Sequence, residues 1–410
     1  MIPYSINELD NGLKVALLPT KSKVVYCGFA IHSGSRNDPE TLPGMAHFVE
    51  HTIFKGTQKR KAWHIINRME RVGGELNAFT TKETTFVYTV APRNELRRSI
   101  ELLNDLIRHA TFPTNELTKE KTVIEDEINI YKDTPSDEIF DRFDQLFFEG
   151  TSLAHPILGS QDSLKRISQK DCLRYVHDAF RPSRMLFFCM GQVSPQRYGQ
   201  LTEELLTEAF PKTGNKYASN EQPKVSFFER KEDSDTHQAH TLIGGIAPSL
   251  LNEQRTEANL IMSILAGNGM NSRLNIRLRE QKGWVYGVEA STNTLPDIGW
   301  WQIYFGSDPI NAEKALETTL EEVRRLTSEP LTPTALRAWI KQVKGEATMA
   351  TEQSESVFLN FGRQLLLKGY YEDITQLFEK LDAVTSDSIM VVANQLFSQN
   401  NISKLIYLGK

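Results

Sequence analysis

The stretch GMAHFVEHTIFKGT, residues 44–57, carries two histidines with a glutamate between them. Pro43 comes just before it, and proline is favoured in the first turn of a helix. Gly56 stands near its end, and glycine is favoured just past the last turn. The stretch therefore predicts a helix. On a helix, His47 and His51 are one turn apart on the same face, while Glu50 points to the adjacent flank. Two neutral imidazoles on one face bind one metal ion, so the stretch predicts half of a metal site.

A catalytic zinc ion takes three ligands from the protein, so a third ligand has to come from elsewhere in the chain. The best candidate is Glu127, in a segment with helical periodicity from Asn115 to Asp133. One stripe of that helix combines two carboxylates with apolar neighbours: Glu120, Val123, Ile124, Glu127 and Tyr131. A divalent cation removes much of the cost of burying a carboxylate. We therefore expect His47, His51 and Glu127 to hold one zinc ion per chain.

The glutamate inside the motif indicates the chemistry. A zinc ion polarises a carbonyl group and lowers the pKa of its water, and Glu50 is placed to take the proton of that water and pass it to a leaving amine. H-x-x-E-H is the inverted form of the zinc-protease motif. The residues predict peptide hydrolysis. Zinc is the natural ion for two imidazoles and a carboxylate, although cobalt and manganese fit the same geometry.

The periodicity of the first half indicates a mixed α and β structure. Segments Val24–Ser33 and Thr84–Ala91 are rich in β-branched and aromatic residues and predict strands, whereas Glu95–His109 and Asn115–Asp133 predict helices. The polar, turn-rich stretch near residues 211–224 is typical of a linker. We expect a metal-bearing domain at 1–212, a linker at 213–224 and a second domain at 225–410.

The two halves share a pattern. FPTNEL begins at Phe112 and LTPTAL begins at Leu331, 219 residues later, and each precedes a predicted helix. At this offset Glu127 corresponds to Glu346, but the second half has no counterpart of the H-x-x-E-H motif. The simplest account is a duplicated α+β unit in which only the first copy keeps the chemistry.

Composition excludes several classes of function. The 410 residues carry a formal charge of -5 and no basic track interleaved with aromatic residues, so nucleic acid is not an expected partner. A membrane-spanning segment is not expected either, because no run of about 18 apolar residues occurs. The three cysteines, odd in number and without a C-x-x-C pair, fit a reducing compartment. The first residues lack the features of a secretion signal, and we expect a cytoplasmic location.

Four motifs together resemble the pitrilysin and insulinase family, and within it the small bacterial relatives of the mitochondrial processing peptidase. They are HFVEHTIFKGT (47–57), GGELNAFT (73–80), KEKTVIEDE (119–127) and REQKGWVY (279–286). The resemblance covers almost the whole chain. It implies two similar α/β-sandwich domains, each with a mainly antiparallel sheet flanked by helices, enclosing a chamber between domains or subunits.

The resemblance also implies roles for residues of the first half. Glu127 becomes the third zinc ligand, and Glu120, seven residues earlier, supports the site. Asn77 and Ala78 match a strand edge that pairs with extended substrate backbone, which gives affinity for peptides and unfolded polypeptides with loose sequence preference.

In the second half, Arg279 and Tyr286 match a pair that contacts substrate near the scissile bond, where their donors stabilise an oxyanion. In two-chain members of the family this pair and the metal motif lie on different partner chains. This chain carries both, so we expect a self-sufficient homodimer.

Less specific interpretations stay open for each residue. The two histidines also fit ordinary helix positions, Glu120 and Glu127 fit a solvated face, and Asn77 fits a turn after Gly73. Arg279 and Tyr286 also fit a surface ion pair and a packed side chain. The alternatives for the whole chain are a non-catalytic peptide-binding subunit, or a metal-bearing subunit that needs a different partner chain.

Overall fold

The structure, a computed structural model, describes residues 3–207, 223–398 and 401–409. Most of the expected linker, residues 213–222, lies outside the described residues. The chain divides into two compact units, each assembled from three segments. Unit 1 comprises Met1–Asn129, His155–Ser219 and Gln353–Tyr371, and unit 2 comprises Ile130–Ala154, Asn220–Glu352 and Glu372–Lys410.

Eleven strands and fourteen α-helices make up the described parts of the two units. The strands are β1 Ser5–Glu8, β2 Lys14–Pro19, β3 Val24–Ile31, β4 Glu75–Thr80, β5 Thr85–Pro92, β6 Met185–Gly191, β7 Glu229–Asp233, β8 Ala239–Ala247, β9 Val285–Thr294, β10 Gly299–Ser307 and β11 Ser403–Leu408. The helices are α1 Met45–Thr52, α2 Ala62–Glu70, α3 Leu96–His109, α4 Thr114–Lys132, α5 Pro135–Phe147, α6 Gln161–Arg166, α7 Gln169–Ala179, α8 Pro195–Leu206, α9 Arg255–Ala266, α10 Ala312–Ser328, α11 Pro333–Ala350, α12 Ser354–Lys368, α13 Ile374–Ala383 and α14 Ser386–Leu396.

The two sheets have the same connectivity. The sheet of unit 1 runs β1-β2-β6-β3-β5-β4, and that of unit 2 runs β7-β11-β8-β10-β9. Without β1, the strands of both sheets follow one chain order: first, fifth, second, fourth, third. Each sheet contains one parallel pair, β2 with β6 and β7 with β11, and the other pairs are antiparallel. The predicted mainly antiparallel α/β fold is confirmed, and the shared order supports a duplication.

The central strand β6 explains why helices lie on both faces of the first sheet. Every residue from Met185 to Gly191 is buried. Phe187 and Cys189 join the core formed with α1 and α3, whereas Phe188 and Met190 join a second core on the opposite face. The sequence of a strand that is covered on both faces is a continuous apolar run, because successive side chains point to opposite sides and both sides are buried.

The second core of unit 1 is completed by a helix from the other half of the chain. Phe358, Phe361 and Leu365 of α12 pack on the sheet of unit 1, while α5, from the first half, packs on the sheet of unit 2. The expected continuous domains at 1–212 and 225–410 are therefore wrong for these two helices. Each half of the chain supplies a helix that covers one face of the other half's sheet.

Sequence periodicity located the main elements to within two residues. The predicted strands and helices correspond to β3, β5, α3 and α4. The metal-motif helix differs in detail, since Pro43 precedes it and Gly44, at φ 91°, is its N-cap. A Cβ on Gly44 would lie 2.7 Å from the carbonyl oxygen of Leu158, so glycine is required there. The helix also ends early, at Thr52, and a 3-10 turn over Ile53–Lys55 leads to the glycine expected at its end.

Replacing Gly362 of α12 by alanine tests the exchange of helices. A Cβ at Gly362 would lie 2.4 Å from the ring of Phe188, whereas one at Gly345 of α11 would meet nothing within 4 Å. We expect Gly362→Ala to lower the free energy of unfolding by about 1 to 3 kcal/mol through overpacking. Gly345→Ala should raise it by up to about 1 kcal/mol through helix propensity. Urea unfolding curves of both variants check this, and a gain of stability in both would contradict the packing of α12 on this sheet.

Candidate metal centre

The two motif histidines lie side by side on α1, with their ring centroids 4.5 Å apart. Helix α4 brings Glu127 opposite them, and its Oε2 atom lies 3.9 Å from Nε2 of His47 and 3.7 Å from Nε2 of His51. These three residues form the one group of potential metal ligands found among the described residues, with all ligand atoms within 4.8 Å of one another. The structure thus brings together the three residues expected to be ligands.

The donor set fits a zinc ion. Bonds of about 2.0 to 2.2 Å in a tetrahedron place neighbouring donors roughly 3.3 to 3.6 Å apart. The Oε2 atom of Glu127 lies slightly farther than this from the two imidazoles, at 3.9 and 3.7 Å. Burial, followed by the neighbouring His51, lowers the pKa of His47 to about 3, so this imidazole is the neutral form that a metal requires. Two imidazoles and one carboxylate leave a fourth position open for water or substrate, as in catalytic zinc sites.

The predicted stripe on α4 is narrower than the sequence indicated. Glu120 and Ile124 are buried, but Val123 is 51% exposed, and the side chain of Glu127 is 43% exposed. Helix α4 therefore presents Glu127 at the border between the core and solvent. That position leaves the centre accessible to a ligand from outside.

Glu120 connects the centre to a cation. Its Oε1 atom lies 3.0 Å from Nδ1 of His51, and its Oε2 atom lies 2.7 Å from Nζ of Lys55. A carboxylate only accepts hydrogen bonds, so Nδ1 of His51 is the protonated nitrogen and Nε2 is free for a metal. Glu120 is 8% exposed. The solvated-face interpretation of Glu120 is therefore wrong.

Glu50 projects from α1 beside the ligands and close to the sheet. Burial raises the pKa of its carboxyl group, while the hydroxyl and backbone N–H of Thr80, and the neighbouring His51, oppose that rise. Thr80 is the last residue of β4. The carboxylate therefore lies between the metal-motif helix and the end of the neighbouring strand.

Asn77 and Ala78 lie within β4, an edge strand. Among the described residues β4 pairs on one side with β5, where Asn77 faces Tyr88 and Ala78 faces Val87. The interpretation of Asn77 as a turn residue is wrong, because the turn precedes the strand. A cavity of 460 Å³ adjoins this edge; it is lined by Phe54, Lys55, Ile66, Glu70, Gly74, Glu75, Leu76 and Asn77.

Arg279 and Tyr286 belong to unit 2 and are not part of the cluster in unit 1. Arg279 lies on a π-helix over Asn275–Glu280, with its Nε atom 3.8 Å from Oε1 of Glu280. Tyr286 is 81% exposed on β9, so it is not a packed side chain. Both side chains are open to solvent within their unit.

Sequence reasoning missed Asp38, which caps the metal-motif helix. Its buried carboxylate accepts hydrogen bonds from the N–H groups of Gly44, at 2.7 Å, and Ala46, at 2.8 Å. Burial raises its pKa to about 7, against the opposing effect of these donors. Asp38 lies in a preceding loop, and no spacing in the sequence marks it. Lys55 was missed too, although it follows His51 by one helical turn.

The remaining histidines and the cysteines take no part in the centre. His240 and Tyr304 form a hydrogen bond between Nδ1 and the hydroxyl group at 2.7 Å. His237 lies three residues before His240, and the two belong to no metal group in the described parts of the chain. Cys27, Cys172 and Cys189 are buried free thiols. We find no described helix with both the length and the apolar character needed to cross a membrane.

Comparison with known proteins decides the family. Residues 14–161 match the model of the insulinase family, peptidase family M16, and residues 166–343 match the model described as the peptidase M16 inactive domain. The uncharacterized zinc protease YmxG of Bacillus subtilis is 30% identical over 399 residues, covering 97% of this chain and 96% of that protein. The chain belongs to peptidase family M16. An uncharacterized zinc protease of Streptomyces coelicolor is 26% identical over 95% of this chain and 86% of its own length.

Two solved structures show the same fold as this M16 chain. A protease from Helicobacter pylori superposes with a TM-score of 0.91 at 20% identity, over 99% of each chain. A Pseudomonas fluorescens structure described as a peptidase M16 inactive domain superposes with a TM-score of 0.90 at 16% identity, over 99% of this chain and 98% of that one. The two-domain α/β architecture is that of M16 structures.

Removing the cap of α1 should weaken both the fold and the metal centre. We expect Asp38→Ala to lower the free energy of unfolding of the metal-free chain by about 1 to 3 kcal/mol, because buried N–H groups lose their acceptor. Zinc should also bind more weakly, since the freed turn carries His47. Asp126→Ala, which changes an exposed residue of α4, should stay within about 0.5 kcal/mol of the parent. Urea unfolding and a zinc competition titration measure both effects, and equal results for the two variants would contradict the capping role.

Proposed function

We propose that this chain is a zinc-dependent endopeptidase that cleaves peptides or unfolded segments of polypeptides. The observation that carries the proposal is the convergence of Nε2 of His47, Nε2 of His51 and Oε2 of Glu127 beside the carboxylate of Glu50. A zinc ion bound by these residues supplies a Lewis acid that polarises the scissile carbonyl and acidifies a water molecule.

Glu50 acts as the general base in this proposal. Its carboxylate accepts the proton of the attacking water and then delivers it to the nitrogen of the leaving amine. Burial raises the pKa of Glu50, which strengthens it as a base. His47, His51 and Glu127 supply three protein ligands, so Glu50 is not needed as a ligand and is free to act as the base.

The edge strand β4 supplies the binding mode. An extended peptide that pairs with the free edge of β4 at Asn77 and Ala78 forms backbone hydrogen bonds that do not depend on its side chains. Thr80 ends the same strand and lies near Glu50, whose pKa it lowers. A peptide on this edge therefore lies beside a strand that ends next to the base. Short or unfolded substrates suit it, because folded proteins seldom offer a free extended segment.

Arg279 and Tyr286 are proposed to contact the substrate and to stabilise the oxyanion. This role comes from the family resemblance, and the exposure of both side chains within unit 2 supports it. Because one chain holds these residues as well as the ligands, we also propose a homodimer that needs no second kind of subunit. The cytoplasmic location stays a prediction.

The alternative is a subunit that binds peptides without cleaving them, or that cleaves only with a different partner. Unit 2 has no metal group among its described residues, in keeping with the inactive-domain description of its family model. The complete donor set in unit 1 favours an active chain, since subunits that lose activity in this way have no need to keep three ligands and a base.

Replacing the base separates catalysis from metal binding. We expect Glu50→Gln to keep about one zinc per chain and to lower the turnover of a quenched, unstructured peptide by at least about 100-fold, because the ligands stay while the proton acceptor is lost. Glu125→Gln makes the same chemical change on α4 at a residue that is not a ligand, and it should leave turnover unchanged. Metal content by mass spectrometry and initial rates of cleavage measure the two effects.

The parent protein in that experiment distinguishes the alternatives. Zinc with chelator-sensitive cleavage supports a self-sufficient peptidase, and zinc without cleavage points to a missing partner chain. A parent protein that binds no zinc points to the non-catalytic subunit. Turnover equal to that of the parent in the Glu50→Gln variant would contradict the assigned role of Glu50 as the base.

A double variant tests the residues of unit 2. We expect Arg279→Ala combined with Tyr286→Phe to keep the zinc content and to lower kcat/KM by about 100-fold, the usual effect of losing donors to an oxyanion. The exposed pair Arg337→Ala with Tyr370→Phe is the matched control. Steady-state kinetics of both double variants provide the measurement, and a parent-like rate in the first would return Arg279 and Tyr286 to a structural role.

A further inference from the structure

We infer that Lys55 is a positioning residue of the metal centre: its ammonium group holds Glu120, and Glu120 in turn holds the imidazole of His51. The inference rests on the proposed function, because it assigns Lys55 a purpose only if His51 is a metal ligand. It adds a residue that the ligand set and the base do not include.

The contacts form a continuous chain of three side chains. Nζ of Lys55 lies 2.7 Å from Oε2 of Glu120, and Oε1 of Glu120 lies 3.0 Å from Nδ1 of His51. Both oxygens of one carboxylate are thus engaged, one by each partner. A carboxylate held at both oxygens has little freedom to rotate, and this fixes the ring orientation of His51.

The backbone places Lys55 where it meets Glu120. Helix α1 ends at Thr52, and the 3-10 turn over Ile53–Lys55 continues directly from it. Lys55 and His51 therefore reach Glu120 from one continuous helical segment, while Glu120 comes from α4. The interaction connects the segment that carries the two histidines to the helix that carries Glu127.

Burial separates this ion pair from an ordinary surface pair. The side chain of Glu120 is 10% exposed and that of Lys55 is 29% exposed. Exposed ion pairs contribute little to stability, but a nearly buried carboxylate that loses its cation is left strongly unfavourable. Without Lys55, Glu120 would tend to turn away from His51, toward solvent or toward the metal ion.

Charge balance points the same way. The centre contains three carboxylates, Glu50, Glu120 and Glu127, and its two imidazoles are neutral when they bind a metal. Among the ion pairs of the described residues, Lys55 is the one lysine or arginine that meets any of these carboxylates. One ammonium and one divalent ion together neutralise three carboxylates, so Lys55 matches the site to a divalent cation.

Zinc affinity of the metal-free protein tests this role without relying on catalysis. We expect Lys55→Met to raise the zinc dissociation constant by about 10 to 100-fold, the usual effect of losing an outer partner of a ligand. Lys59→Met removes a lysine at an exposed position four residues later and should bind zinc like the parent. Lys55→Arg should restore most of the affinity, because it restores the cation. Competition with a chromophoric chelator at constant pH gives the constants.

Two further measurements separate positioning from folding. The absorption spectrum of the cobalt-loaded protein reports ligand geometry and should change in Lys55→Met but not in Lys59→Met. Lys55→Gln keeps a hydrogen-bond donor without the charge, and it serves if the methionine variant fails to fold. We expect its zinc affinity to fall as well.

Distinct results overturn the inference. Parent-like zinc affinity in Lys55→Met or Lys55→Gln would overturn it. A lower thermal midpoint of the metal-free variant with an unchanged zinc constant would assign Lys55 a structural role instead. A parent chain that binds no zinc at all would overturn the proposed function itself. If the parent binds zinc and the Lys55 variants bind it with the same dissociation constant, only the role of Lys55 is overturned.

Discussion

The structure depends on covering both faces of each sheet. Strand β6 is buried along its whole length, and its side chains enter one core on each side of the sheet. A sheet of this kind is stable only if apolar helices pack on both faces, since an uncovered face would expose a large apolar surface to water. The first face receives α1 and α3 from the same half of the chain, and the second receives α12 from the other half. The exchanged helices α12 and α5 meet this requirement in units 1 and 2.

The position of the candidate centre follows from the same packing. Helix α1 buries one side against the sheet, and this leaves the face with His47 and His51 turned toward α4. Asp38 fixes the start of α1, and Lys55, in the 3-10 turn after α1, connects that segment to Glu120. The edge strand β4 packs beside the same helix, and its last residue, Thr80, lies near Glu50. Ligands, base and strand edge are thus held by elements that also form the core, which favours a preorganised site.

The duplicated architecture separates fold from chemistry. Unit 2 repeats the strand order of unit 1, but its helix α9, between β8 and β9, contains no histidine. Glu346, the counterpart of Glu127, accepts a hydrogen bond from Gln342 instead of facing two imidazoles. The equivalent edge strands β4 and β9 both carry residues with proposed substrate contacts, Asn77 and Tyr286. In the proposed function, unit 1 therefore supplies the metal ligands and the base, and unit 2 supplies substrate contacts. One fold can hold both roles, because the fold sets the positions of side chains and the sequence sets their chemistry.

The sequence by itself determined the local geometry of the site. A helical period places His47 and His51 on one face whatever surrounds them, and apolar periodicity located β3, β5, α3 and α4 to within two residues. The offset between Phe112 and Leu331 is likewise visible in the chain, and α4 and α11 begin at matching places. Only the tertiary structure decided which faces meet. The approach of Glu127 to the histidines, the contact of Lys55 with Glu120, the cap from Asp38 and the exchange of α5 and α12 depend on packing between distant segments. Periodicity shows which face of an element is apolar, but it does not identify the partner of that face.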